Sequence, residues 1–259
     1  EYKSEYRGRV QNRATGLDAQ PMFHLSFAPI AGDVHTYHAF AQKVEAFNAA
    51  HPQPRLYVVC GTAPMDEAAS RRLLQRVDSL TAVVGTARGE QKLAAALLQR
   101  AVAETVAQNY EGAISDLEAC LGIDSTSVVA LWQRAYCQTM MPEFDNKARN
   151  VKGDATAASL KSARIVADLD QAIQADKDNQ YLYYNRGCTY MAERDYIHAI
   201  DDFTRAINID HNLAEAYYNR GLARVQNGLK TEGIADLSKA GELGLYKAYS
   251  VIKKISNSK

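Results

Sequence analysis

The sequence predicts a mainly α chain: a helical solenoid of four repeats with flanking helices, preceded by a small α+β segment. Two observations carry the solenoid. Tyr183-Tyr184-Asn185-Arg186-Gly187 recurs without gaps, 34 residues on, as Tyr217-Tyr218-Asn219-Arg220-Gly221. The same offset takes Ala199 to Gly233, Phe203 to Leu237 and Ala206 to Ala240, and a period of 20–50 residues marks a stack of supersecondary units. A third observation separates the first part of the chain: residues 1–65 alternate with period two rather than 3.6.

Within 1–65, Tyr6, Gly8 and Val10 alternate with Arg7, Arg9 and Gln11, and Phe23, Leu25 and Phe27 alternate with Met22, His24 and Ser26. Ala14-Thr15-Gly16 between them supplies a turn, so a hairpin is expected. From Val34 to Ala50 the spacing of Tyr37, Phe40, Ala41, Val44 and Phe47 predicts a helix, ended by His51-Pro52-Gln53-Pro54. Leu56-Tyr57-Val58-Val59-Cys60 is apolar on both faces, as a covered strand is. So short a segment buries little core alone, which makes it dependent on the array or on chain upstream. Glu1 in place of methionine reads as the start of a fragment or processed form.

The solenoid occupies 66–259. Leu73, Leu74, Val77, Leu80 and Val84 give 66–84 helical spacing, a helix over the N-terminal side of the stack. Repeats then fall near 94–127, 128–179, 180–213 and 214–247. The second carries a surplus of about 18 residues around 141–158, where Pro142, Gly153 and several Asn and Asp make a loop composition. Small residues stand at position 8 (Ala101, Ala135, Gly187, Gly221) and position 27 (Cys120, Ala172, Ala206, Ala240), and a bulky one at position 24 (Leu117, Leu169, Phe203, Leu237). Small side chains let paired helices approach and the large one fills the gap. Ile165 is oversized for the small position 20, which predicts a loosely packed second repeat. Residues 245–255, with Leu245, Tyr249, Ile252 and Ile255 on one side and Lys253 and Lys254 on the solvated side, read as a C-terminal capping helix.

This pattern resembles the tetratricopeptide repeat (TPR) family over about 94–247, although the family's proline at position 32 is replaced by Ser125, Lys177, His211 and Leu245. The resemblance implies a right-handed solenoid whose concave groove binds a protein or peptide, with no catalysis and no cofactor. The groove positions of the family fall here on Trp132, Tyr136, Tyr181, Tyr184, Asn185, Cys188, Glu215, Tyr218 and Asn219. Tyrosines there either grip an extended peptide, apolar ring plus hydrogen-bonding tip, or pack between successive first helices. The family's carboxylate clamp for chaperone tails does not fit: its Lys and Asn positions read Trp132, Tyr136, Asn185, Glu215 and Asn219, and Asn185 alone matches. The combination of parts also resembles the C-terminal portion of larger bacterial TPR proteins. That implies an exported protein, periplasmic or in the cell envelope, with a cytoplasmic location as the alternative, and makes upstream repeats of the same chain an alternative occupant of the groove.

A charged pattern recurs in every repeat. Arg100, Arg134, Arg186 and Arg220 hold position 7; Asp116, Asp168, Asp202 and Asp236 hold position 23. An arginine fork on the first helix and a carboxylate on the second predict a ladder of ion pairs, within or between repeats. Regular recurrence suits stacking better than a unique ligand site.

Other chemistry is sparse. With 30 basic and 30 acidic side chains the net charge is zero, which excludes a strongly polyanion-seeking protein, and no nucleic-acid partner is expected. Four scattered cysteines, at 60, 120, 137 and 188, make no disulfide scaffold, and no apolar run approaches the ~20 residues of a membrane span. Nucleophile elbows, P-loops and paired metal motifs are missing from the sequence. His35 and His38, with Cys60, are the candidate for a metal or enzymatic site, and lack a third ligand at helical spacing. Arg7, Arg9 and Arg13 read as a solvated strand face, and Cys120 as core.

Overall fold

The computed structural model describes residues 25–27, 58–60, 67–141 and 154–257. Strand β1 (Leu25–Phe27) pairs in parallel with β2 (Val58–Cys60), Leu25 opposite Val58 and Phe27 opposite Cys60. A parallel pair cannot be joined by a tight turn and needs a long crossover, supplied here by residues 28–57. The expected hairpin with Tyr6–Val10 and the helix at 34–50 lie outside the described residues, as do the side chains of His35, His38 and Cys60.

Ten helices follow among the described residues, in two compact units that divide between Ala175 and Asp176. The first unit holds α1 (Glu67–Thr86), α2 (Glu90–Val106), α3 (Tyr110–Ile123), α4 (Val128–Met140) and α5 (Asp154–Ala175). The second holds α6 (Gln180–Ala192), α7 (Tyr196–Ile209), α8 (Ala214–Gln226), α9 (Lys230–Glu242) and α10 (Lys247–Asn257). The pairs α2–α3, α4–α5, α6–α7 and α8–α9 are the four repeats, each a first helix A and a second helix B. Boundaries follow capping chemistry. Asn109, Ser127, Asn179 and Asp195 each accept a backbone N–H from the first turn of the helix they precede, satisfying donors that a helix start leaves open.

The turn from helix A to helix B is built the same way in three repeats. Position 15 takes a left-handed backbone at Gln108 (φ 63°), Arg194 (φ 60°) and Gly228 (φ 86°). The next N–H then reaches back to the fifth carbonyl before it: Asn109 to Glu104 at 2.9 Å, Asp195 to Tyr190 at 2.9 Å, Leu229 to Arg224 at 2.8 Å. Position 15 of the second repeat is Pro142, whose ring fixes φ near −65°. The tight turn is closed to that repeat, and its helix B starts only at Asp154. Residues 154–158, expected in the insert, belong instead to α5: Ala155, Ala157 and Ala158 are strong helix formers, and Asp154 puts an acidic residue at the helix N-terminus.

Between the two helices of each repeat the small-and-large pattern is packed tight. Ala101, Ala113, Ala135, Ala172, Ala199, Ala206 and Ala240 are fully buried, as are Leu117, Leu169, Phe203 and Leu237. Ile165 is buried as well, in spite of its size. The fourth repeat shows the closest approach. A β-carbon built on Gly221 would lie 2.8 Å from the Gly233 carbonyl oxygen, and one on Gly233 would lie 2.7 Å from that of Gly221. In the third repeat the Phe203 ring fills the space over Gly187, 2.9 Å from where a β-carbon would sit. The last helix closes the second unit: Leu245, Ala248, Val251 and Ile255 join Ala214, Tyr218, Leu222, Leu237 and Ala240 in one buried cluster. Tyr249, expected on the covered side, is 47% exposed.

Because the obstacle at Gly233 is backbone, no rotamer change relieves it. Gly233→Ala is expected to cost about 1–3 kcal/mol in urea unfolding. Gly122→Ala, where nothing lies within 4 Å, is expected to be neutral or slightly stabilising.

Candidate functional site

Position 7 lies on the face of helix A that meets its own helix B, and position 23 lies opposite it. Each arginine therefore reaches the aspartate of its own repeat as a two-pronged fork. Nε meets Oδ2 and Nη2 meets Oδ1 at 2.6 and 2.6 Å for Arg100–Asp116, and at 2.9 and 2.6 Å for Arg134–Asp168. The same distances are 2.8 and 2.7 Å for Arg186–Asp202, and 2.8 and 2.8 Å for Arg220–Asp236. The carboxylate side chains are 4–8% exposed and the arginines 11–21%, so the acid is the buried partner in every pair. Hydrogen bonding to the carboxylate holds the Arg100 and Arg134 guanidinium groups above their ordinary pKa, against the opposing cost of burial.

Where the third arginine nitrogen is bonded, it goes to the preceding helix. Arg100 Nη1 donates to Thr81 Oγ1 on α1 at 3.4 Å, and Arg220 Nη1 to Thr204 Oγ1 on α7 at 3.1 Å. One guanidinium thus ties its own repeat shut and links it to the one before. Arg186 and Arg220 also lie over the rings of Tyr183 and Tyr217, three residues back on the same helix, at 5.9 and 5.4 Å. Asp236 takes a further donor, Arg224 Nη1, at 2.7 Å.

Successive A helices meet through buried polar seams. In the first unit Gln133 Nε2 donates to Thr105 Oγ1 at 2.9 Å; Thr105 donates to the Ala101 carbonyl at 2.7 Å and lies 3.2 Å from Cys137 Sγ. In the second, Asn219 Nδ2 donates to Tyr184 Oη at 2.7 Å and lies 3.5 Å from Cys188 Sγ. Tyr184, Cys188 and Asn219 of this second seam are among the residues the sequence assigned to the groove. The Tyr184 ring also meets Phe203 at 5.7 Å between centroids, and Lys247 Nζ sits 4.4 Å from the centre of the Tyr218 ring. Burial lowers the Lys247 pKa, with Glu215 opposing the shift.

The nine expected groove residues are therefore not one open surface. Trp132, Tyr184, Asn185, Cys188, Tyr218 and Asn219 are buried, and Tyr184, Cys188, Tyr218 and Asn219 each make a contact with a neighbouring helix. Tyr136, Tyr181 and Glu215 remain half-buried. The apolar-plus-polar character that suits a tyrosine to a peptide suits it equally to a helix seam, which is why sequence alone left both open. The Thr105–Gln133–Cys137 seam went unread; its signal was polar residues at helix-A positions that are also apolar-facing.

Among the described residues no group of three or more His, Cys, Asp or Glu is placed to hold a metal, and no helix is long and apolar enough to cross a membrane. Burial pushes the Cys137 thiol up to about 11 and the Cys188 thiol further.

Residues 189–228 match the family model described as TPR repeat. The match spans the junction of the third and fourth repeats, whose geometry is that of α6 to α8. Over these residues the chain matches the tetratricopeptide repeat. The TPR architecture has solved counterparts: a crystal structure of MamA, 21% identical with a TM-score of 0.54, aligns over 72% of this chain and 99% of its own. MamA from Desulfovibrio magneticus RS-1, residues 41 to the end, is 16% identical with a TM-score of 0.52 over 70% of this chain and 97% of its own. A double mutant of RS-1 MamA is 14% identical, TM-score 0.53, over 76% and 100%. At these identities the likeness is one of fold. No curated protein matches the sequence.

Two outcomes follow from the TPR framework. Arg186→Ala removes both prongs of the fork from the buried Asp202 carboxylate, with an expected loss of about 2–4 kcal/mol in thermal unfolding; the double Arg186→Met/Asp202→Leu variant is expected to recover most of it. Cys137 and Cys188 are expected to resist alkylation at pH 8 in the folded protein, since a thiol titrating near 11 or above is almost wholly protonated there. Peptide mapping after iodoacetamide, before and after denaturation, reads this directly.

Proposed function

We propose that this protein is a non-catalytic interaction scaffold that takes a segment of a partner protein along its A helices. The supporting observation is how the repeat register uses its side chains. Recurrent charges are held in the Arg–Asp forks, polar groups such as Asn219 and Gln133 serve the seams between A helices, and Tyr136, Tyr181 and Glu215 are left partly open at groove positions. Tyr181 and Glu215 stand at the same position of consecutive repeats in the second unit, and offer an aromatic surface and a charge one repeat apart.

A second reading, that the array is structural and packs on other parts of its own chain, draws on the burial of Tyr184, Asn185, Cys188, Tyr218 and Asn219. Affinity capture from native extract with wild type and a Tyr181→Ala/Glu215→Ala variant separates the two. The scaffold reading expects a partner recovered by wild type and reduced about tenfold or more in the variant. Equal recovery by both, or no partner with either, overturns it.

A further inference from the structure

The repeat register does not stop at α9. Carried on by 34, position 2 runs Tyr181, Glu215, Tyr249; position 5 runs Tyr184, Tyr218, Ile252; position 6 runs Asn185, Asn219, Lys253; position 9 runs Cys188, Leu222, Ser256. Helix α10 is thus a fifth helix A. Position 8, small in every complete repeat, is Ile255 here and is buried, so the slot that admits a helix B is filled.

Seams between A helices in this unit run in one direction. Tyr184 and Cys188, at positions 5 and 9 of α6, face Asn219 of α8; Tyr218, at position 5 of α8, faces Lys247 at the start of α10. The corresponding stripe on α10 is Tyr249, Ile252, Lys253 and Ser256, spaced i, i+3, i+4, i+7 on one face. On α6 and α8 positions 5, 6 and 9 of this stripe are buried. On α10 Lys253 and Ser256 are exposed, Ile252 is half-buried, Tyr249 is 47% exposed, and Tyr246 one turn before is 73% exposed.

Two features prepare this face. Position 28, apolar and bulky in the first three repeats as Leu121, Ile173 and Ile207, is Gly241 in the fourth. The Tyr249 ring occupies the vacated space, 2.5 Å from where a Gly241 β-carbon would lie, and is braced there as an anchor. The helix also carries Lys247, Lys253 and Lys254 and no acidic side chain, while Glu242 nearby is paired with Lys239 at 3.3 Å.

We propose that the exposed face of α10 docks an acidic α-helix of a partner protein, stacked on α10 as α10 stacks on α8. Continuity with the existing seams sets the geometry, and the exposed Lys253 and Lys254 set the sign of the partner's charge. The proposal rests on the scaffold reading above and adds to it a second docking face, separate from Tyr181 and Glu215, with the chemistry of the helix it takes.

The test uses the full chain and a synthetic amphipathic helix of leucine and glutamate, with a leucine–lysine helix of the same pattern as control, read by fluorescence anisotropy. The glutamate helix is expected to bind wild type and the lysine helix not to. Tyr249→Ala and Lys253→Glu/Lys254→Glu are each expected to weaken binding about tenfold, and Tyr181→Ala/Glu215→Ala to leave it unchanged. The two lysines are exposed, so their replacement leaves the packing intact. Equal binding by all variants, or by both peptides, overturns the proposal. So does a wild-type dimer in sedimentation that Tyr249→Ala abolishes, since the face then belongs to a second copy. Partner capture from extract that survives the α10 variants removes this site and leaves the scaffold reading standing.

Discussion

A planar arginine fork laid against a buried carboxylate is the constraint on which the rest of the array depends. The fork has one orientation in which both prongs meet both oxygens, so helix A cannot slide or rotate against helix B without breaking two bonds at once. That geometry in turn fixes which residues face each other across the hairpin. Gly221 can lie on Gly233, and Phe203 over Gly187, because the fork beside them sets the register. Buried ion pairs are poor sources of net stability and good sources of uniqueness. Here the aspartate is the more deeply buried member in all four repeats, so the pair acts chiefly as a lock on register.

The seams between repeats obey a second rule. A buried amide such as Asn219 must find partners, and it finds them in Tyr184 and Cys188 on the preceding A helix. Gln133 does the same with Thr105. Polar groups used in this way cannot also meet a ligand. The A-helix side chains of the second unit that stay half-buried or exposed along the stripe of positions 2, 5, 6 and 9 are Tyr181 and Glu215 at position 2 and Tyr249, Ile252, Lys253 and Ser256 on α10.

What was legible in sequence was whatever recurs. The period of 34, the small and large positions and the Arg–Asp slots were readable because four copies agree on them. Pairing within each repeat, rather than between repeats, was not readable, because both geometries satisfy the same spacing. The burial of Tyr184, Asn185, Tyr218 and Asn219 was not readable, because periodicity places a residue on a face and says nothing of what covers that face. Single-copy features were read least well. The start of α5 at Asp154 depends on a turn that Pro142 forbids, and the placement of the Tyr249 ring depends on one glycine at position 241.

That proline has a consequence for how the chain folds. In three repeats the fork closes a short loop: Arg100 to Asp116, Arg186 to Asp202 and Arg220 to Asp236 are each 16 residues apart. Arg134 and Asp168 are 34 apart. Loop closure costs about 0.6 kcal/mol more for each doubling of length, so the second repeat starts with an entropic handicap of roughly that size. Order in a stack of repeats spreads from wherever a unit forms first. Nucleation is thereby biased towards the hairpins with tight turns, and the second repeat closes by condensing on a neighbour already formed. Its position in the folding sequence is set by one residue that cannot turn left.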